Sequence, residues 1–290
     1  MFEALPIEIA FSHFVQGFSS APLDAFFQIF TLFGNPFVWF ALAAFLYWKG
    51  DEKKSFFIAS TLLFAAAIVG LLKIAAGRLR PMEPDFRVIV RDIESNLSLP
   101  SGHATTIAGV FGYYYEKIER NGRAIWLLVV GVVMLSRIYL GAHYLGDVIV
   151  GALFGFLVGR LMHYLEGRYA RVKFTRARMF AEAGLVAAIA IALAISLFFR
   201  ELAIASGLIG YFAGVFAFKL LNHDSPKLTG RHLLLKEAIG FGSLGIIATF
   251  GFIDAILPEI LFAAGLWITL IYPILYNKAI MRRNLLQKPL

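Results

Sequence analysis

From Ser55 to Leu72 the chain reads SFFIASTLLFAAAIVGLL, 18 consecutive residues without a charge. A helix of about 20 residues crosses the roughly 30 Å hydrocarbon core of a bilayer, so a run like this one is expected to span a membrane. Comparable runs recur along the chain. Nine segments are expected to span, near 33–48, 54–76, 102–118, 122–140, 143–163, 179–199, 202–221, 235–255 and 258–277. A mean hydropathy of +0.74, with 59% hydrophobic and 16% charged residues, agrees with a chain that lives mostly in lipid. The expected fold is all-α, a polytopic transmembrane helical bundle of about nine spans.

Residues 22–34 (PLDAFFQIFTLFG) are apolar on one helical face and stop at Gly34-Asn35-Pro36. Residues 1–35 are therefore expected to form an interfacial segment ahead of the first span. Residues 36–165 form a first bundle, and 179–280 add about four further spans. The first 20 residues contain no Lys or Arg, so a cleaved leader is not expected. Cysteine is absent, which removes disulfides and thiolate metal sites.

Basic residues mark the cytoplasmic side of short loops. Loops 49–54, 117–123, 168–178 and 219–236, with the tail from Lys278, hold 19 Lys and Arg, whereas the alternate set holds seven. The N-terminus is thus expected outside and the C-terminus inside, as in a multi-pass cell membrane protein. The same bias explains much of the net charge of +8 without a nucleic-acid partner.

The outer face carries an anomaly. Three blocks meet there: KIAAGRLRP (73–81) at the end of the second expected span, PSGH (100–103) at the start of the third, and SRIYLGAHYLGD (136–147) joining the fourth and fifth. Cations facing lipid are costly, so Lys73, Arg80 and Arg137 should point into the bundle or to the water above it, and three cations gathered there call for an anion. Ser101 is a good helix N-cap and Gly102 lets backbone approach a ligand closely, so the free N–H groups behind them make a phosphate seat. His143 and Asp147 are four apart, expected on one face of the fifth helix, where the carboxylate could orient the imidazole as a nucleophile or base. His103, at the phosphate seat, could give a proton to a departing oxygen.

These blocks resemble, position for position, the signature of the type 2 phosphatidic acid phosphatase superfamily, K-x6-RP, PSGH and SR-x5-H-x3-D. They read Lys73 through Arg80-Pro81, Pro100 through His103, and Ser136-Arg137 through His143 to Asp147. The resemblance covers about residues 30–165. It implies metal-independent, cofactor-free hydrolysis of a phosphate ester or diphosphate through a phosphohistidine. In that reading His143 attacks phosphorus, Asp147 orients it and His103 protonates the leaving oxygen. Lys73, Arg80, Ser101, the Gly102 N–H and Arg137 then hold the phosphoryl oxygens. The implied partner is a membrane lipid phosphate, such as a polyprenyl phosphate or phosphatidic acid, handled on the extracytoplasmic side. The extended layout is similar to that of glucose 6-phosphatase and the sphingosine-phosphate phosphatases, which keeps a sugar phosphate open as substrate. Transfer of the phosphate to an alcohol acceptor stays open too, as does a lipid or anion transporter in which the cluster only binds.

Other polar residues take plainer readings. Singly, Lys73, Arg80 or Arg137 could be snorkelling cations, His143 with Asp147 could make a structural hydrogen bond, and His103, His143 and Asp147 could form a metal site, which three neighbouring cations argue against. Arg78 and Arg200 read as helix-end anchors, and Tyr113 to Tyr115 as an aromatic belt. Glu83, Asp85, Asp92 and Glu94 read as a solvated lid balancing Arg87 and Arg91. Lys236 and Asp254 sit near expected span ends, and His13, His163, His223 and His232 are assigned no chemistry.

Overall fold

The computed structural model describes residues 2–89, 96–169, 202–221, 223, 227–249 and 256–286. Among these, regular structure is helical, apart from one isolated bridge between Leu79 and Leu97. In chain order, α1 (Pro6–Gln16), α2 (Ala21–Thr31) and a 3-10 turn (Leu32–Gly34) lead into α3 (Pro36–Lys49) and α4 (Glu52–Ala76). Then come α5 (Gly102–Tyr114), α6 (Arg120–Tyr139), α7 (Leu145–Tyr169), α8 (Leu202–Leu220) and α9 (Gly230–Thr249). The last helix, α10 (Leu257–Leu266), continues through a π-helical turn (Trp267–Ile271) into α11 (Tyr272–Leu286).

Helices occupy eight of the nine segments expected to span, and the remaining one, 179–199, lies outside the described residues. By length and composition, five are able to cross a membrane: α4, α6, α7, α9 and the stretch Leu257–Ala279. A sixth is possible if α2 and α3, which meet at a 49° bend, count as one span. That bend falls at Gly34-Asn35-Pro36, where proline cannot continue the preceding hydrogen-bond ladder. α5 has 13 residues, with every one from His103 to Tyr113 buried. It is an internal helix, and its neighbours set where its first turn sits.

The described residues group into two compact units. One contains α1, α2, the start of α3, most of α4, and α5 to α7; the other contains the end of α3, the first turn of α4, and α8 to α11. In the first unit the tightest pairing joins α5 to α7. Gly151, Gly155 and Gly159 recur every fourth residue along one face of α7, and Gly109 and Gly112 face them from α5. A Cβ on Gly155 would overlap the Thr105 carbonyl oxygen, and one on Gly159 would overlap that of Gly109. Stripes of small residues let helix backbones touch where no hydrophobic effect drives helices together. The consequence is that the first turns of α5 and α7 are held side by side.

α1 and α2 belong to the same unit and pack on it: α1 lies against α6 and α7, and α2 against α6. Val15 and Phe27 are buried with Ala104, Ile138, Tyr139, Leu140 and Val148. In the second unit Trp48 Nε1 donates to the Ile268 carbonyl at 2.8 Å, and Lys236 Nζ to that of Trp48 at 3.0 Å. Lys236 is fully buried one turn and a half into α9, deeper than its expected place near a span end.

Candidate active site

Helix direction alternates along the first unit, which brings four helix ends together. Lys73 lies in the last turn of α4, Ser101 caps α5, Arg137 lies in the last turn of α6, and Asp147 lies in the first turn of α7. All are withdrawn from solvent: Ser101, Arg137, His143 and Asp147 have no exposed surface, Lys73 has 2% and His103 has 6%. Isolated buried charges are expensive, so this density of them has to be stabilised by one another or by an anion.

Gly102 opens α5 behind its cap. The Ser101 carbonyl accepts the Thr105 amide at 3.0 Å and the Thr105 hydroxyl at 2.8 Å, while the Ser101 amide donates to the Asp147 carbonyl at 3.0 Å. The Ser101 hydroxyl is 3.5 Å from the Ala104 amide, a long cap. Its oxygen is therefore only loosely engaged by the helix. His103 sits one residue into α5, with Gly34 of the 3-10 turn against it: a Cβ there would come within 2.8 Å of the His103 Cβ.

His143 is not on α7, contrary to the helical spacing expected for it. It stands in the turn that precedes α7, which begins at Leu145. Gly141, at φ +76°, makes that turn possible, and its neighbours Ala142 and His143 both donate backbone N–H groups to the Arg137 carbonyl. The imidazole lies between a carboxylate and a guanidinium. Nδ1 lies 3.6 Å from Asp147 Oδ2, beyond hydrogen-bond length, and Nε2 lies 3.3 Å from Arg80 Nη1, which also donates to the Ala142 carbonyl at 3.2 Å. Asp147 Oδ2 instead accepts the Tyr144 amide at 2.8 Å, so the carboxylate closes the N-terminus of α7.

Burial, then the positive charges of Arg80, Arg137, Lys73 and His103, hold the His143 imidazole well below the ordinary histidine value. His143 is thereby neutral, with one nitrogen turned to the carboxylate and the other turned to the cations. Lys73, Arg80, His103 and Arg137 are all close enough for their charge to act on it. A neutral imidazole within reach of Lys73, Arg80 and Arg137 could accept an electrophile that brings its own negative charge.

Residues 54–171 match the PAP2 superfamily. A lipid A 4'-phosphatase of Porphyromonas gingivalis is 30% identical over 172 residues, which make up 53% of this chain and 71% of the relative. The chain belongs to the PAP2 superfamily. A decaprenylphosphoryl-5-phosphoribose phosphatase of Mycobacterium tuberculosis is 34% identical over 126 residues, 42% of this chain and 67% of the relative. Among solved structures, that of Aquifex aeolicus LpxE is similar with a TM-score of 0.46 at 24% identity, over 56% of this chain and 98% of that one. The PAP2 match begins at the start of α4 and ends just past α7, so it takes in every signature residue and leaves α1 and α2 outside.

The structure adds residues to the PAP2 signature that the sequence did not single out. Arg78, read as a helix-end anchor, is buried: its Nη1 donates to Asp147 Oδ1 at 3.0 Å, its Nη2 pairs with Glu8 Oε2, and its guanidinium lies 4.9 Å over the Tyr144 ring. Thr31 accepts a hydrogen bond from Arg137 Nη1 at 2.9 Å. Glu8 had a signal of its own, a carboxylate within the apolar helix PIEIAFSHF. Two plainer readings change as well. Arg87 pairs with Asp24 of α2, while Arg91, Asp92 and Glu94 of the expected lid lie outside the described residues. Tyr113 is fully buried, and its hydroxyl donates to Glu166 at 3.0 Å, so it is no part of an interfacial belt. Among the described residues no group of three His, Asp or Glu side chains is placed to share a metal ion.

Proposed function

We propose that this PAP2 protein is an integral membrane phosphatase that hydrolyses a lipid phosphate or diphosphate at the extracytoplasmic face, through a phosphohistidine on His143. The observation that carries the reading is the placement of the imidazole, with Nδ1 toward Asp147 and Nε2 toward Arg80. Nε2 is then the nucleophile. Its lone pair attacks phosphorus while the ester oxygen leaves and takes a proton from His103. Positive charge developing on the ring is stabilised through Nδ1–H by Asp147. Lys73, Arg80 and Arg137 hold the non-bridging oxygens, and the Ser101 hydroxyl and Gly102 N–H complete the cradle. In the second half His103 takes a proton from water, the hydroxide oxygen attacks phosphorus, and the N–P bond breaks to release inorganic phosphate and restore the neutral imidazole.

The sidedness rests on the basic loops: the α5–α6 connection, at the other end of α5 from Ser101 and His103, carries Lys117, Arg120 and Arg123, and the α3–α4 connection carries Lys49, Lys53 and Lys54. The relatives support a lipid-borne substrate, being named for lipid A and for a decaprenyl-linked phosphate. The test is phosphate release by purified protein in EDTA, across phosphatidic acid, polyprenyl phosphate and diphosphate, lipid A and glucose 6-phosphate. Turnover of a lipid phosphate that EDTA leaves intact is expected. Turnover confined to the sugar phosphate, or abolished by EDTA, sinks the proposal.

A pH dependence follows. Attack requires neutral His143, and burial plus the surrounding cations favour that form. The acid limb of kcat/KM, which reports groups of the free enzyme, is therefore expected below the ordinary histidine value of about 6.5. Arg80→Gln, which removes the largest of the charge effects, should move that limb upward whatever it does to the maximum. A limb that stays put in Arg80→Gln speaks against His143 as the titrating group.

A further inference from the structure

We propose that Glu8 is a positioning residue for the reaction: by holding Arg78 and the first turn of α7, it fixes the Asp147 carboxylate against His143. This makes α1 part of the catalytic machinery, although it lies outside the residues that match the superfamily. The proposal rests on the reading of His143 and Asp147 as catalytic.

The geometry is a chain of charge-assisted contacts between elements distant in sequence. Glu8 is 5% exposed and Arg78 is 5% exposed, so their pairing is made away from water. Glu8 Oε2 accepts from Arg78 Nη2 and, at 2.8 Å, from the Leu5 amide. Glu8 Oε1 accepts from the Gly146 amide at 2.7 Å. Arg78 then spends its other terminal nitrogen, Nη1, on Asp147 Oδ1 at 3.0 Å. The same carboxylate of Glu8 therefore reaches Asp147 by two routes, through the guanidinium and through the backbone one residue before it.

This arrangement divides the two basic surroundings of the site. Arg80 faces the imidazole, whereas Arg78 faces the back of the carboxylate that orients it. An arginine with a single carboxylate partner prefers to engage both of its oxygens. Glu8 occupies one end of the fork, so Asp147 keeps Oδ2 for the Tyr144 amide and for the His143 edge. Burial alone would raise the Glu8 carboxyl, but hydrogen bonds from Arg78, Leu5 and Gly146 outweigh it and hold the group below its ordinary value, so it is ionised at neutral pH. Gly146 is the residue that admits the clamp: a Cβ there would overlap Glu8 Oε1.

Glu8→Gln removes the charge and keeps the shape. The expected result is a fall in kcat of about 10-fold with KM within about 2-fold, since the substrate cradle is untouched while the imidazole loses its alignment. Asp147→Asn supplies the readout that a merely structural role would not move. If Glu8 acts through Asp147, adding Glu8→Gln to Asp147→Asn costs less than about 2-fold more, a non-additive cycle. Gly146→Ala, which displaces the clamp from the α7 side and leaves the charge in place, should reproduce the kcat loss and serves if Glu8→Gln does not fold. Unchanged kcat in both Glu8→Gln and Gly146→Ala, or the full 10-fold loss again in the Asp147→Asn background, overturns the proposal alone. Wild-type turnover by Asp147→Asn would instead overturn the role given to Asp147, and this inference with it.

Discussion

His143→Ala is expected to lower phosphate release by about 10⁴-fold or more, the scale seen when a covalent nucleophile is removed from a preorganised site. The ring is fully buried, with Asp147 and Arg80 beside its two nitrogens, and the backbone amide of His143 donates to the Arg137 carbonyl. Alanine keeps that backbone bond, so the fold should survive while the nitrogen that attacks is lost. Assaying release on the best lipid phosphate, with melting temperature measured beside it, separates the two. Activity within about 10-fold of wild type would remove His143 from the role given to it.

Gly155→Val carries the second largest expected effect, and it acts at a distance from the chemistry. The added Cβ meets the Thr105 carbonyl, which is backbone and can give way only if α5 and α7 separate. Separation moves Ser101 and His103, on the first turn of α5, relative to Asp147 on the first turn of α7. A displacement near 1 Å in such a site costs about 10²-fold in rate, and overpacking a close helix contact about 1–3 kcal/mol in stability. Both a reduced kcat and a lower melting temperature are expected. Gly131→Val on α6, where a Cβ meets nothing within 4 Å, should change neither and is the matched control.

The sequence made the helices legible because long uncharged runs admit few other solutions, and it placed the bend at Gly34-Asn35-Pro36 because proline stops a ladder wherever it falls. The three signature blocks were legible for a related reason, since charge in an apolar background has to be accounted for. The position of His143 was not. Spacing of four suggests a shared helical face, but a carboxylate three residues past a helix boundary also closes that boundary, and Asp147 does this for the Tyr144 amide. α7 therefore starts after the histidine. Arg78 reads as an anchor from its place at a helix end; its partner Glu8 is 70 residues away, and Gly146, the third member of the clamp, is 138 residues from Glu8. Contacts of that separation depend on how α1 packs, which local pattern does not encode. Thr31 beneath Arg137 was hidden in the same way.

The claim on which the rest depends is that phosphorus becomes bonded to one imidazole nitrogen inside a cation-lined pocket. Rapid acid-free quenching of wild-type protein turning over a ³²P-labelled lipid phosphate, followed by proteolysis, tests it most directly. The expected label is stable in alkali, lost in acid and carried by the peptide that contains His143, and it is missing from His143→Ala. Steady turnover with no protein-bound phosphorus at any quench time, or label on a different residue, would contradict it.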